Sequence, residues 1–208
     1  YMKYLSHQTL TIACLLILLG GGYIYLIRGG TPPSVPVQEV APTAMTYTNP
    51  TYGVTFQYPD TYYVIEQKLT DPRIATGVSI TLLEKGVAVP ENGEGPTAIT
   101  LNIYDKALVD IPNENPLDVW IRSSPLSNFK TATVIVPTQV NLGALDARTY
   151  TWDGLYPGTS VVTGKDTNVF MFSVTYNGQT DTMKQQDFAK ILTTVTFTST
   201  STATTTAN

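Results

Sequence analysis

Hydrophobic and polar residues alternate along much of this chain. Val54, Phe56 and Tyr58 alternate with Thr55 and Gln57; Val78, Ile80 and Leu82 alternate with Ser79 and Thr81; Ile99, Leu101 and Ile103 alternate with Thr100 and Asn102. Successive side chains of a strand point to opposite faces, so each run predicts a strand with one buried face. Further strands are predicted over 62–67, 140–142, 147–152, 159–163 and 169–176, the last with Phe170, Phe172, Val174 and Tyr176 on one face. Asp153-Gly154 and the stretch 165–168 carry turn residues between such runs and predict hairpins, hence an antiparallel sheet.

Two segments follow the helical period instead. Asn115-Pro116 predicts an N-cap and a first helical residue, after which Leu117, Trp120 and Ile121 fall at i, i+3 and i+4. Near the end, Thr182 and Gln185 have capping-box spacing, and Phe188, Ile191, Leu192 and Val195 form an apolar stripe. Each helix has one face to bury. The economical solution is an α+β domain over 47–197, a twisted antiparallel β-sheet with helices packed on it.

Outside this region the pattern changes. No charged residue occurs from Gln8 to Ile27, and residues 10–27 read LTIACLLILLGGGYIYLI. That is close to the ~20 apolar residues that cross a bilayer core, so a transmembrane signal-anchor helix is expected over 10–28. Residues 1–9, with Lys3, are expected on the cytoplasmic side. A cleaved signal peptide is the alternative, opposed by the length of the apolar run and the absence of a small-x-small site. A lipoprotein processed at Ala13-Cys14 is opposed by the position of Cys14 near the start of the run. Residues 29–46 include TPPSVPVQEVAP, whose four prolines predict an extended spacer. The Thr/Ser/Ala stretch 198–208 offers nothing to bury and is expected to be a disordered tail. The domain is thus expected on the outer side of the cytoplasmic membrane, with the membrane as a partner through 10–28.

A length of 208 residues allows one ordinary domain plus these appendages. Only 13% of residues are charged and the net charge is −4, with basic residues scattered singly, which argues against nucleic acid as a partner. The sole histidine, His7, precedes the hydrophobic run, and the sole cysteine, Cys14, lies inside it. Histidine-based catalysis, disulfides and thiolate metal sites are thereby excluded from the domain. The glycines of 91–96 lack the Lys-Ser/Thr and helix of a phosphate loop and read as a hairpin tip. One polar cluster, Asp110, Asn113, Glu114, Asn115 and Asp118, has oxygens suited to a hard cation, making Asp110, Asn113, Glu114 and Asp118 calcium candidates. Its spacing does not match the EF-hand loop. A solvated loop, with Asn115 capping the helix and Asp118 in its first turn, accounts for the same residues. No metal or cofactor is therefore assigned, and Trp120 and Trp152 are read as core or strand-surface residues rather than the lining of a ligand groove.

The stretch YTNPTYGVTFQYPDTYYV over 47–64 and the closing DFAKILTTVTF over 187–197 resemble the two ends of the PsbP-like α/β sandwich family. This chain has Tyr62-Tyr63 where a tryptophan is common. The resemblance implies a layered sandwich and a binding scaffold rather than a reaction, and it carries over no functional residue. The expectation is a noncatalytic, membrane-tethered binding or structural module of the cell envelope, with an envelope protein or other ligand as partner. The alternative is a hydrolase or sugar-processing enzyme built on carboxylates.

Overall fold

The structure is a computed structural model and describes residues 43–71, 75–91, 94–109, 111, 115–178 and 181–198. The expected N-terminal segment, transmembrane helix and spacer up to residue 42, and the tail from 199, lie outside the described residues. No helix among the described residues is long and apolar enough to cross a membrane.

Among the described residues, the domain has ten strands and two α-helices. In chain order these are β1 (Ala44–Asn49), β2 (Val54–Pro59), β3 (Tyr62–Asp71), β4 (Ala75–Glu84), β5 (Ile99–Tyr104), α1 (Pro116–Ser123), β6 (Thr138–Leu142), β7 (Leu145–Trp152), β8 (Gly158–Lys165), β9 (Asn168–Thr175), α2 (Thr182–Thr194) and β10 (Thr196–Phe197). A single 3-10 turn, Phe129–Thr131, follows α1. The architecture is α+β, as the patterns predict.

Seven strands form one antiparallel sheet in the order β3-β4-β5-β9-β8-β7-β6, and β1-β2-β10 form a second. The alternation read from sequence decides which residues share a face. Ile80 pairs with Leu101, and Leu101 pairs with Phe172, so one row of buried apolar side chains crosses three strands. On this first face lie Val78, Leu82, Ile99, Ile103, Phe170 and Val174 as well, all buried. The small sheet covers it through Val54 and Phe56, and α2 covers it through Phe188 and Ile191. Burying each such side chain is worth about 1.5–3 kcal/mol, which holds a helix too short to be stable alone. The hydroxyl of Thr194 ties the end of α2 to the β2 strand by accepting from Gln57 N at 2.9 Å.

The opposite face carries a second cluster, Tyr104, Tyr150, Val162, Val169 and Met171, covered by Trp120 and Ile121 of α1. Trp152, half-buried on the same face, lies over its cross-strand partner Gly158, where a Cβ would come within 2.4 Å of the indole. The absent side chain is what admits the ring.

Details at element ends depart from the sequence reading. β1 begins at Ala44, inside the stretch assigned to the spacer, because Ala44–Asn49 finds a partner in β2. The capping box does not form: Asp181, not Thr182, is the N-cap of α2, and Thr182 is already helical. The Asp181 carboxylate is instead engaged by Lys184 at 3.2 Å. Asn115 does take the N-cap position of α1 with Pro116 after it, but its side chain does not cap. Gly53 turns the chain from β1 into β2 with φ of 60°, and a Cβ there would meet Thr198 O at 2.5 Å. Thr198 itself, assigned to the tail, donates its N–H to Gly53 O at 2.8 Å.

Candidate functional site

Among the described residues, three open grooves border the seven-stranded sheet. One, of about 370 Å³, lies on the first face where the β1–β2 turn meets β3 and β4, and is lined by Asn49, Tyr52, Glu66, Lys68, Thr76 and Asp105 among others. A second, of about 310 Å³, lies on the opposite face between Lys68 to Asp71 of β3 and the side chains of Asn102, Tyr104 and Leu126. The third, also about 310 Å³, separates the start of α1 from β7 and β8 and is bordered by Asp118, Asp146, Arg148 and Asp166. These volumes are at the lower end of those that hold small ligands.

The first groove brings together chemistry that nothing in the chain order announces. Tyr47 donates its hydroxyl to Glu66 Oε2 at 2.5 Å, and Tyr52 lines the same groove as Asp105. Asn49, buried at the turn, donates Nδ2 to the Tyr47 hydroxyl at 3.3 Å and accepts from Tyr52 N at 3.3 Å. Burial, then the bond to Glu66, pushes the Tyr47 phenol up to about 12. Burial, then the Asp105 carboxylate, raises Tyr52 strongly in the same direction. Both phenols therefore remain protonated at neutral pH, and the Tyr47 proton is directed to the Glu66 carboxylate. The carboxylates keep further lone pairs for a ligand that donates hydrogen bonds, such as a hydroxyl or an ammonium group.

The calcium candidates fare differently. Asp110, Asn113 and Glu114 lie outside the described residues. Asp118 is the acceptor of a two-point ion pair, with Arg148 Nε at 2.8 Å from Oδ1 and Nη2 at 3.3 Å from Oδ2. Both oxygens thus serve to hold the start of α1 on β7. Among the described residues, no group of three His, Cys, Asp or Glu is placed to hold a metal ion.

A further charged cluster sits at the start of α2. Lys184 is buried, and its ammonium meets Thr97 Oγ1 at 2.7 Å, Glu84 Oε1 at 3.2 Å and Asp181 Oδ2 at 3.2 Å. Nearby, Tyr62 donates to Asp187 Oδ2 at 3.1 Å. Burial first, then the Asp187 charge, raises the Tyr62 phenol strongly. All three ammonium donors are used, so the cluster clamps α2 to β4 and to the start of β5.

Neither Glu66 nor Asp105 stands out in the sequence. They sit on separate strands, and neither neighbours a motif. The one available signal was Gly53 after Tyr52, which marks the turn that carries Tyr52 to Asp105.

An antiparallel seven-stranded sheet, covered on one face by a small sheet and a helix and on the other by a short helix, is a PsbP-like layered α+β fold. The solution structure of the cyanobacterial PsbP (CyanoP) from Synechocystis sp. PCC 6803 overlays with a TM-score of 0.52 at 13% identity, over 79% of this chain and 98% of that one. A crystal structure from Bacteroides thetaiotaomicron overlays with a TM-score of 0.43 at 12% identity, over 74% of this chain and 48% of that one. No family model and no curated protein matches the sequence. The likeness to the cyanobacterial protein establishes the fold.

Proposed function

We propose that the chain is a noncatalytic binding or structural module of the cell envelope, tethered to the cytoplasmic membrane through residues 10–28, with its domain on the outer side. The observation that carries the noncatalytic part is the engagement of Glu66 and Asp118, two of the acids that border the grooves. Glu66 accepts from Tyr47, and Asp118 is paired with Arg148. Glycosidase chemistry needs one carboxyl group free to deliver a proton and a second to act as nucleophile or base. The PsbP-like fold supports the same reading, by analogy of scaffold only. The groove of Glu66 and Asp105 is the ligand surface this reading favours, because its carboxylates can accept hydrogen bonds without transferring a proton.

A hydrolase that used this groove would have to use the same pair, which makes the test specific. The full-length chain in detergent is assayed against a panel of chromogenic glycosides and esters, beside Glu66→Gln and Asp105→Asn. The expected result is no turnover beyond that of the variants; turnover lost in either single variant overturns the noncatalytic reading. Location is tested by protease treatment of intact spheroplasts. Cleavage within residues 35–40 should release a fragment of domain size, whereas protection that ends only on lysis places the domain inside.

A further inference from the structure

Register defines two ends of the large sheet. Tyr62 pairs with Glu84, Leu82 with Ile99, Thr175 with Gly158 and Gly158 with Trp152, so the start of β3, the end of β4, the starts of β5 and β8, and the ends of β7 and β9 share one end. The chain coming from residues 1–42 arrives at this same end. Thr43 O accepts from Asp60 N at 2.9 Å, two residues before β3 begins.

The exposed large hydrophobic side chains are distributed unevenly between the two ends. Val87 and Val89 lie in the β4–β5 connection, and Leu155 lies in the β7–β8 turn, 62% exposed. Met183, 75% exposed, is in the first turn of α2, and Met45 is at the start of β1. Most prominent is Val134 to Val136, with Ile135 88% exposed. Thr133 N still bonds Thr151 O, while Thr138 pairs with Thr149, so four residues form a bulge at the sheet edge opposite Tyr150 alone, with Val134, Ile135 and Val136 exposed and Pro137 buried. Only Val109, after β5, belongs to the far end among the described residues. Runs of exposed apolar residues are costly in water and mark a surface that is covered in use.

We infer that this end of the domain rests on the lipid bilayer, its apolar loop tips entering the interface beside the point where the chain arrives. The inference rests on the tethered reading above. Two observations select lipid over a protein partner. The apolar residues are split among separate loop tips rather than joined in one groove, which suits a fluid surface. The apolar, uncharged stretch 10–27 is also connected to this end. Residues 29–43 span no more than about 55 Å even fully extended, so the bilayer stays within range. Charges at this end, Asp60, Glu84, Glu91, Glu94, Asp153 and Asp181 against Lys85, Arg122, Lys130 and Lys184, are more acidic than basic. The surface favoured is therefore zwitterionic, and anionic lipid should weaken the contact.

The test uses the full-length chain with Cys14→Ser, reconstituted in phosphatidylcholine vesicles. A fluorophore is placed singly through Ile135→Cys, Leu155→Cys or Val109→Cys, and quenched by lipids labelled on the acyl chain. Quenching is expected to be several-fold stronger at 135 and 155 than at 109, and to fall when phosphatidylserine is included. Equal quenching at all three positions overturns the inference and leaves the tether intact. Quenching at 135 and 155 that appears only at protein concentrations giving cross-linked dimers assigns the end to a second copy, and overturns it too. A chain that fails to float with the vesicles overturns the tethered reading together with the inference.

Discussion

The two faces of the large sheet are held by different physics. The first face is an aliphatic and phenylalanine core, with Phe56 and Phe172 edge-to-face at 5.9 Å. It is covered by three strands and by the 13 residues of α2, a helix about 20 Å long. Seven strands span about 29 Å at ~4.8 Å spacing, so this cover nearly matches the sheet. The second face is covered by the 8 residues of α1, about 12 Å, and the 3-10 turn after it. So short a cover leaves the edges of that face open, and two of the three grooves lie there. What the second face lacks in area it supplies with amphipathic side chains whose polar ends are bonded. Tyr150 donates to Ser127 O; Trp152 Nε1 donates to Ser160 Oγ at 2.9 Å, and Ser160 and Ser173 share a bond of 2.8 Å. The lesson is that the first face should be sensitive to lost volume and the second to lost hydrogen bonds.

The sharpest way to break this contrast is on the first face. Phe172→Ala removes a fully buried ring between Phe56 and the α2 layer, and should cost about 3–5 kcal/mol, read from the urea midpoint at unchanged slope. A loss below about 1 kcal/mol would show that this face tolerates cavities and that the contrast is wrong. On the second face, Tyr150→Phe keeps the ring and deletes the donor to Ser127 O. The expected cost is about 1–3 kcal/mol, since a buried carbonyl loses its partner. No measurable change in the same titration would mean that packing alone holds the second face.

A smaller effect is expected with pH. Burial pushes the Tyr104 phenol, on the second face, up to about 12, while in the unfolded chain it ionises near ~10. Between these values the unfolded chain has lost a proton that the folded one keeps. Stability that is fully present below about pH 10 is therefore lost as pH rises towards about 12. Tyr150, raised by burial first, adds to the loss with the same sign. Unfolding midpoints measured across this window should fall less steeply in Tyr104→Phe, and an unchanged slope would remove Tyr104 from the linkage.

Much of the fold was legible because period-2 and period-3.6 patterns need no knowledge of neighbours. Val78, Ile80 and Leu82 face the core in β4 as their alternation required, and Trp120 and Ile121 bury as their helical spacing required. The turns at Asp153-Gly154 and 165–168 joined the strands they were expected to join. The ends of elements were harder to read, because there local chemistry competes with distant partners. Asp181 became the N-cap of α2 while its carboxylate was drawn to Lys184, and Ala44 to Thr46 became strand only because β2 was there to pair with them.

The amino-acid pattern by itself therefore determined the class of the domain, its strands and helices, and the faces they bury, since each depends on spacing within one segment. Only the tertiary structure decided which polar groups meet. The Glu66 and Asp105 groove joins a strand, a turn and a strand end that are adjacent only after β1–β2 packs on the sheet, and Asp118 meets Arg148 only because β7 lies against the start of α1. Sequence spacing carries the sign of a side chain's environment, whereas the identity of its partner is settled by the order in which strands assemble.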